Sequence, residues 1–470
     1  MAIQIYNTYT GKKEEFRPIQ SNQVRIYLCG LTVYDYFHIG NARPLLMFDV
    51  FRRYLKYRQY DVRYVVNITD IDDRLIKKAQ TDNVSVAEIA RKYTHAYFED
   101  IKRLRVEEPD LSPRATDHIP DMIELVKTLI SKGHAYELDG DVYYRVRSFP
   151  RYGQLSGKNI DDLQAGARVE VDERKEAPLD FALWKSAKPG EPSWDSPWGK
   201  GRPGWHIECS VMSMRHLGQT FDIHAGGVDL IFPHHENEIA QSEGATDVKF
   251  VNYWMHNGFL NIEGEKMSKS LGNFFTIREV LGKYEPEVIR IFFFLKHYRS
   301  PINFSEERIR EAQQALERII ETLDSIDRML EGKFETGGGH SEFVNGLKNE
   351  FIEAMDDDFN TASAMAKLFD LIKEANLIMA KEQLSFVDRS ILSEIRATFH
   401  EYDSFLSILP MGKESTGGVD EGPLIDLLLE IRNELRDKHE WVLADQIRDR
   451  LNELNIEIKD SKEGTVWRRK

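Results

Sequence analysis

Apolar residues follow a strand–helix–strand pattern around the segment from Cys29 to Asn41. Residues 24–28 form a short run of β-favouring apolar side chains, typical of a strand buried in a parallel sheet. After the loop, Pro44 suits the first turn of a helix, whose apolar residues recur at helical spacing, and residues 61–69 are predicted to form the next strand. The pattern predicts a βαβ unit with Cys29 at the C-terminal end of its first strand. Ligands collect at this edge of a parallel sheet, near a helix N-terminus that favours anions.

Polar residues at this predicted helix entrance suit a nucleotide. Gly40 lets the backbone approach a base or ribose closely, and His38 and Asn41 on either side supply hydrogen-bond donors. A polar turn with a satisfied histidine explains these residues equally well when they are considered alone.

A second motif, Lys266-Met-Ser-Lys-Ser270, lies in a predicted loop. An apolar strand, residues 250–260, precedes the loop, and a helix beginning near Thr276 follows it, where Thr276 and Glu279 fit a capping box. A solvated basic loop is the simple alternative, but this pentapeptide should occur by chance in about one in several thousand unrelated chains. The two motifs together are therefore a stronger signal than either alone.

The two motifs together resemble the signature pair of class I aminoacyl-tRNA synthetases. Cys29 and the segments 204–209 (GWHIEC) and 232–238 (FPHHENE) narrow the resemblance to cysteinyl-tRNA synthetases. The resemblance covers essentially the whole chain, to its tail Trp467-Arg-Arg-Lys470.

The resemblance implies roles for the residues of both motifs. His38, Gly40 and Asn41 would hold ATP, while Lys266 and Lys269 would act on its departing phosphates; His38, Asn41 and both lysines are the predicted catalytic residues. One position departs from the family pattern, because the first motif usually ends in a second histidine where this chain has Asn41. An amide donates a hydrogen bond but cannot become cationic, which puts in doubt any role that needs a positive charge there.

Length and charge narrow the class of protein. The 470 residues suggest about three domains, and the apolar fraction is ample for large cores. The N-terminus lacks the pattern of a signal peptide and no stretch is apolar enough to span a membrane, so we expect a cytoplasmic protein without a membrane partner. A net charge of −15 argues against a general polyanion binder, so an RNA partner requires local basic patches.

The chain has two cysteines, Cys29 and Cys209, too few for a disulfide-built fold. Inert buried thiols and metal ligands both remain possible. His234 and Glu238 are four residues apart, so on a helix they share a face. Two thiolates, an imidazole and a carboxylate make a plausible zinc set, and the family resemblance strengthens that prediction.

Three further residues are candidates for substrate contacts. Thr69 begins an acidic stretch after the second strand that could bind an amine or a metal, although a capped helix start also explains it. Asp229 follows two glycines at a strand end, where an acid can accept from ribose hydroxyls; a tight turn is the alternative. We place Thr69 and Trp205 at the amino acid and Asp229 at ATP.

The chain beyond residue 300 is predicted to be helical, and its last segment is basic and aromatic. Alternating charges usually mark a solvated helix face, but arginines interleaved with tryptophans also suit unstacked RNA bases. The resemblance implies an anticodon-reading region here, and we predict tRNA contacts from Arg432, Arg436, Trp441 and Trp467.

These patterns predict an α/β fold: a Rossmann-like parallel-sheet catalytic domain split by an insertion, then an α-helical bundle and a small C-terminal RNA-binding region. The predicted segments are 1–115 (first catalytic half), 116–203 (connective insertion), 204–260 (second catalytic half), 261–304 (signature-loop and stem-contact region), 305–410 (helical bundle) and 411–470 (anticodon-binding region).

The predicted activity is ATP-dependent ligation of L-cysteine to tRNA(Cys) through cysteinyl-adenylate. The resemblance implies one Zn²⁺ per chain that binds the substrate thiol and so rejects serine, and Mg²⁺ with the ATP; we expect a monomer. Two other classes stay open. A cysteine ligase acting on a small amine would not need the helical C-terminal region, and a non-catalytic zinc and RNA-binding protein would have no reason to keep the second motif beside a nucleotide site.

Overall fold

The computed structural model describes residues 2–159, 174–262, 265–266, 275–330, 341–410, 421–454, 456–461 and 464–469. The chain forms two compact units, Met1–Leu409 and Pro410–Lys470. No helix within the described residues has both the length and the apolar character needed to cross a membrane.

The larger unit combines parallel and antiparallel sheets with many helices. Its strands are β1 (Gln4–Asn7), β2 (Lys12–Glu15), β3 (Gln23–Thr32), β4 (Asp61–Thr69), β5 (Ala135–Leu138), β6 (Asp141–Tyr144), β7 (Phe181–Ser186), β8 (Gly201–Pro203), β9 (Phe221–Gly227), β10 (Val251–Asn257), β11 (Leu260–Ile262), β12 (Glu265–Lys266) and β13 (Ile302–Phe304). Its helices are α1 (Ile39–Tyr57), α2 (Asp73–Asp82), α3 (Val86–Arg103), α4 (Ile119–Ser131), α5 (Trp205–Leu217), α6 (Glu236–Thr246), α7 (Ile277–Leu281), α8 (Pro286–Phe294), α9 (Glu306–Leu330), α10 (Glu342–Asp356), α11 (Thr361–Met379) and α12 (Phe386–Leu406).

The central sheet is parallel, with strand order β10-β9-β3-β4. From β3 the chain crosses through α1 to its neighbour β4 at one edge of the sheet. From β9 it crosses through α6 to its neighbour β10 at the other edge. A topological switch point therefore lies between β3 and β9, and a crevice for ligands is expected at their carboxyl ends. The Rossmann-like parallel fold predicted from the sequence is confirmed.

Alternate residues of β3 pack into two different hydrophobic clusters, one on each face of the sheet. Ile26 and Leu28 pack in one apolar cluster with α1, and Tyr27 and Cys29 pack in a second cluster with α5. Burial on both faces explains why the sequence of this strand is continuously apolar rather than alternating.

The predicted end of β3 is wrong, because the strand continues past Cys29 to Thr32. An irregularity between Leu28 and Leu31 interrupts its pairing with β4. The backbone N–H of Gly30 donates to the side chain of Asn67 at 2.8 Å instead of to a strand carbonyl. A Cβ at Gly30 would lie 1.7 Å from the Asn67 carbonyl oxygen, so only glycine fits this close approach.

The predicted start of α1 is also wrong, because the helix begins at Ile39 and Pro44 lies inside it. His38 and Asn41 form a capping box, and the Ile39 N–H donates to the carbonyl of Phe275 at 3.1 Å. These contacts satisfy orphan donors of the first turn and fix the start upstream of the proline.

The predicted strand 250–260 is two strands in different sheets. β10 ends at Asn257, and β11 joins a small sheet of order β12-β11-β13. Gly258 and Phe259 make the turn between them. A separate antiparallel sheet, β5-β6-β7-β8, occupies the predicted insertion.

The smaller unit contains α13 (Glu421–Asp437), α14 (Trp441–Glu453), β14 (Ile456–Ser461) and β15 (Gly464–Arg469). Its strands form a hairpin, and its core includes Ile425, Leu429 and Leu451. Two glycine-rich stretches, 337–339 and 412–422, have the composition of linkers. They lie outside the described residues except for Glu421 and Gly422 at the start of α13.

Candidate active site and metal centre

A cavity of about 360 Å³ opens at the switch point of the central sheet. Its lining includes Cys29 from β3, Gly40 from the start of α1 and Asp229 from the turn after β9. Residues 257–260 and Trp205 also contribute to the lining. The cavity therefore brings together the cysteine and the helix entrance that the sequence pattern singled out, and its size suits small-molecule ligands.

The helix entrance presents a defined histidine to this cavity. The Asn41 backbone N–H donates to His38 Nδ1 at 3.2 Å, and the His38 backbone N–H donates to Asn41 Oδ1 at 3.4 Å. A backbone N–H cannot accept, so Nδ1 must accept, and the proton of the neutral ring lies on Nε2. His38 Nε2 thus carries the N–H of the neutral ring, while the Asn41 amide N–H₂ group takes no part in these two hydrogen bonds.

A buried cluster of metal-ligating side chains adjoins the cavity at Cys29. The donor atoms of Cys29, Cys209, His234 and Glu238 all lie within 4.8 Å of one another. The exposed fraction is 8% for Cys29 and 2% or less for the other three residues. The sequence prediction grouped these four side chains, and the structure brings them together.

The spacing of these donors fits a tetrahedral zinc ion. Bonds of about 2.3 Å to sulfur and about 2.0 Å to nitrogen or oxygen require about 3.8 Å between two sulfurs, about 3.5 Å from sulfur to oxygen and about 3.3 Å from nitrogen to oxygen. The observed distances are 3.7 Å for Cys29 Sγ to Cys209 Sγ, 3.6 Å for Cys29 Sγ to Glu238 Oε1 and 3.1 Å for His234 Nε2 to Glu238 Oε1. The four residues can therefore hold the ion with little movement.

Two of the four donors hold a proton that a cation would displace: burial raises the pKa of Cys29 well above its usual range, and, although burial opposes it, Glu238 raises the pKa of His234 to about 10. The other two already suit a cation. A hydrogen bond from the Cys29 thiol lowers the pKa of Cys209 to about 6 despite burial, with His234 acting in the same direction. Burial would raise the pKa of Glu238, but His224 and His234 outweigh it and lower the pKa to about 2. Cys209 and Glu238 are therefore anionic at neutral pH, the form in which they bind metals.

Histidines that the sequence analysis did not single out surround these donors. His224 Nε2 lies 2.8 Å from Glu238 Oε2, and His206 Nδ1 lies 2.9 Å from His234 Nδ1. His235 Nε2 lies 3.3 Å from Cys29 Sγ, and its Nδ1 lies 2.7 Å from His256 Nε2. Such partners orient metal ligands.

A second group that could hold a metal, Cys29, His224, His235 and Glu238, overlaps the first. The two groups share Cys29 and Glu238, so they cannot both be filled. The first contains both thiols, which favour zinc, while His224 and His235 are already engaged with Glu238 and His256.

The two predicted amino-acid contacts occupy different environments. Trp205 lines the cavity, and its ring stacks on His234 with 4.2 Å between centroids. Thr69 is buried, and its hydroxyl donates to Glu208 at 3.0 Å and lies 3.3 Å from the Asn67 amide. Trp205 is therefore placed to contact a ligand directly. Thr69 does not line the cavity and belongs to a buried hydrogen-bonded network.

The remaining nucleotide candidates are Asp229, Lys266 and Lys269, and only Asp229 has a described side chain. Asp229 is exposed and lines the cavity, and its carboxylate folds back toward Gly227, where a Cβ would lie 2.3 Å from Asp229 Oδ1. The backbone of Lys266 pairs with Asn261 in the small sheet. The side chain of Lys266 and all of Lys269 lie outside the described residues.

The predicted RNA contacts differ in exposure within the smaller unit. Trp441 is 53% exposed, whereas Arg432 is buried. Arg436 is half-buried, and the Trp467 indole donates to Asp426 at 2.8 Å. Of these residues, Trp441 is the most available for stacking on a base.

Comparison with known proteins gives matches along the whole chain. The tRNA synthetases class I (C) catalytic domain matches residues 15–314, and the DALR domain matches residues 350–410. A cysteine–tRNA ligase of Geobacillus thermodenitrificans is 50% identical over 471 residues, covering 100% of this chain and 99% of the relative. The cysteine–tRNA ligase of Pelobacter propionicus is 49% identical and covers 99% of both chains.

Solved structures share the fold at low sequence identity. Methionyl-tRNA synthetase from Mycobacterium tuberculosis, in complex with methionyl-adenylate, aligns with a TM-score of 0.59 and 15% identity, covering 82% of this chain and 90% of that one. A ternary complex of Agrobacterium radiobacter LeuRS also gives 0.59 with 11% identity, covering 84% and 86%. These likenesses support the class I synthetase fold.

Proposed function

This chain belongs to the cysteine–tRNA ligases, a family of class I tRNA synthetases, and we propose that its cavity activates L-cysteine beside a zinc ion held by the Cys29 cluster. The enzyme is an ATP-dependent ligase: cysteine and ATP give cysteinyl-adenylate and pyrophosphate, and the cysteinyl group then passes to tRNA. The observation that carries the proposal is one cavity lined by both Cys29 and the His38 helix entrance.

The metal-binding end of the cavity provides the selectivity. Cys29, Cys209, His234 and Glu238 would hold the ion, which when bound would take the thiol of cysteine as a thiolate by expanding its coordination beyond these four donors. A pocket that reads only shape separates two side chains as similar as cysteine and serine by about 10- to 200-fold. A thiol ionises at a pKa of about 8.5 whereas an alkyl hydroxyl does not, so metal coordination discriminates where shape cannot. Trp205 would pack against the substrate beside His234.

The helix entrance would hold the nucleotide. The positive end of α1, at His38 and Gly40, lines the cavity and would favour the phosphates there. Attack of the cysteine carboxylate on the α-phosphate needs mainly positioning and charge stabilisation. Gly40 would permit close approach, the Asn41 amide would donate to the nucleotide, and Asp229 would accept from ribose hydroxyls. Lys266 and Lys269 would bind the departing pyrophosphate, with Mg²⁺ accompanying ATP.

The acceptor would be tRNA(Cys), and we place the protein in the cytoplasm, where tRNA is charged. Trp441 in the smaller unit would stack on an unpaired base, and Arg436 and Trp467 of the same unit would add further contacts to the RNA. Arg432 would support this surface from within the core. The exposed aromatic ring supports this assignment.

The proposal is tested by charging total tRNA with labelled cysteine, with serine as competitor, in ATP and magnesium, before and after the metal is removed. We expect cysteine-selective charging that depends on the metal. Charging that continues without metal at full selectivity would refute the zinc role. Cysteine-dependent pyrophosphate exchange without tRNA charging would instead indicate a ligase acting on a small amine, and absence of exchange would indicate a binding protein.

A further inference from the structure

Arg43 is a fully buried guanidinium in the second turn of α1. Its Nη1 donates to the carbonyls of Gly258 and Phe259 at 2.6 and 2.9 Å. Its Nη2 donates to the carbonyls of His297 and Ser300 at 3.3 and 2.6 Å. Among the described residues no carboxylate lies within ion-pair distance of Arg43, so backbone carbonyls alone hold this charge.

The four carbonyls belong to two turns that Arg43 locks together. Gly258 and Phe259 connect β10 to β11, and residues 297–300 lead into β13, which pairs with β11. The Gly258 N–H also donates to the Tyr298 carbonyl at 2.8 Å. A Cβ at Gly258 would lie 2.6 Å from the carbonyl oxygens of Arg299 and Ser300, so the two turns pack too closely for a side chain at this position.

The helix that carries Arg43 and the turn that its guanidinium binds both contribute to the cavity wall on the proposed nucleotide side. Arg43 is two residues beyond Asn41 on the same helix, while Gly258 and Phe259 line the cavity from the opposite element. The guanidinium thus sets the distance between the wall that carries His38 and Asn41 and the wall formed by Gly258 and Phe259. By contrast, the proposed metal ligands lie on β3, α5, α6 and the turn before α6, and none of these four hydrogen bonds reaches any of these elements.

We propose that Arg43 is a positioning residue for ATP, because it fixes the gap between the two walls that enclose the nucleotide. This inference rests on the proposed function and adds a residue to it. The planar fork of arginine can reach four carbonyls in two turns at once, whereas the ammonium of lysine is a single point with three donors. Lysine at position 43 would keep the charge and lose the simultaneous hold on both turns.

Arg290 provides a control. It is also a fully buried arginine, and it donates to the carbonyls of Leu406, Leu104 and Arg105 at 2.8, 3.2 and 3.2 Å. Unlike Arg43, it also pairs with a carboxylate, that of Asp49, at 3.4 Å. Burial lowers the pKa of Arg43 and of Arg290 alike to about 10. Arg290 does not line the cavity, so its replacement reports the cost of disturbing a buried guanidinium without moving the nucleotide site.

The experiment compares Arg43→Lys, Arg290→Lys and the unchanged protein in cysteine-dependent ATP–pyrophosphate exchange, with thermal unfolding measured in parallel. We expect Arg43→Lys to raise KM for ATP by about 10- to 100-fold, since displacements of about 1 Å are costly in a positioned site. Its KM for cysteine should stay within about twofold, because the metal-side elements are not displaced. Arg290→Lys should lower the unfolding temperature while leaving both KM values unchanged.

Gly258→Ala is the second variant, and it tests the positioning role if Arg43→Lys does not fold. It pushes the same turn without touching the guanidinium, so it should raise KM for ATP and spare KM for cysteine. The inference is overturned if the folded variant leaves KM for ATP unchanged, or raises both KM values equally. No exchange by the unchanged protein would refute the proposed function itself, which separates the two failures.

Discussion

Removing the His224 imidazole tests whether a hydrogen-bonded shell sets the metal affinity of the cluster. His224 Nε2 lies 2.8 Å from Glu238 Oε2, and both side chains are fully buried. Without this donor, the buried carboxylate of Glu238 loses its orientation toward the metal. Loss of such a partner typically weakens metal binding by about 10- to 100-fold, which corresponds to about 1.4 to 2.7 kcal/mol.

His224→Leu and His224→Gln separate the donor from the packing. The His224 ring stacks on Trp254 with 4.5 Å between centroids, and leucine keeps an apolar contact there while removing the donor. Glutamine carries an amide N–H₂ that can replace the Nε2–H. We therefore expect the full loss of zinc affinity in His224→Leu and a smaller loss in His224→Gln.

The assay is competition for zinc against a chromogenic chelator, followed by cysteine-dependent pyrophosphate exchange at limiting and saturating zinc. Saturating zinc should restore the rate of His224→Leu, because the four ligands remain. His118→Asn is the control, since His118 pairs with Asp121 at 3.1 Å outside the cluster and should keep normal zinc affinity. Normal zinc affinity in folded His224→Leu would refute the reasoning.

Three further substitutions test other parts of the site. Cys209→Ser replaces a thiolate with a hydroxyl that does not ionise, so zinc content should fall and KM for cysteine should rise by more than about 100-fold; near-normal kinetics without zinc would exclude the metal role. Asn41→His should leave pyrophosphate exchange similar or higher, because the family usually has histidine there, and a collapse of exchange would mean that the pocket is adapted to the amide. Gly30→Ala places a Cβ 1.7 Å from the Asn67 carbonyl oxygen, so we expect destabilisation of about 1 to 3 kcal/mol or more; an unchanged unfolding temperature would contradict the close approach.

The sequence was sufficient for features that depend on local pattern. The apolar run of β3 and the helical spacing of α1 identified the βαβ unit, and the predicted capping box of Thr276 and Glu279 is present, with the Glu279 N–H donating to Thr276 Oγ1 at 3.3 Å. The helical character predicted beyond residue 300 is confirmed in the described residues by α9 to α14, which are followed by the hairpin of β14 and β15.

Features set by distant contacts were not predictable in this way. The start of α1 depends on a hydrogen bond to Phe275, and the passage of β3 beyond Cys29 depends on the Asn67 side chain. The histidines around the metal ligands come from β9, β10 and two helix starts, so only the sheet assembles them. A signal was present in the repeated histidines of these segments, but spacing along the chain does not reveal which ones meet.

The proposed metal ligands are divided between the two halves of the parallel sheet, and this division has a consequence for the order of folding. Cys29 lies on β3, whereas Cys209, His234 and Glu238 follow the insertion, 180 to 209 residues later. β3 can pair with β4 early in synthesis, but its pairing with β9 must wait for that later sequence. The complete donor set therefore forms only when both halves of the sheet have joined. Capture of the proposed zinc ion would then be a late event, one that stabilises the completed sheet and not the nascent βαβ unit.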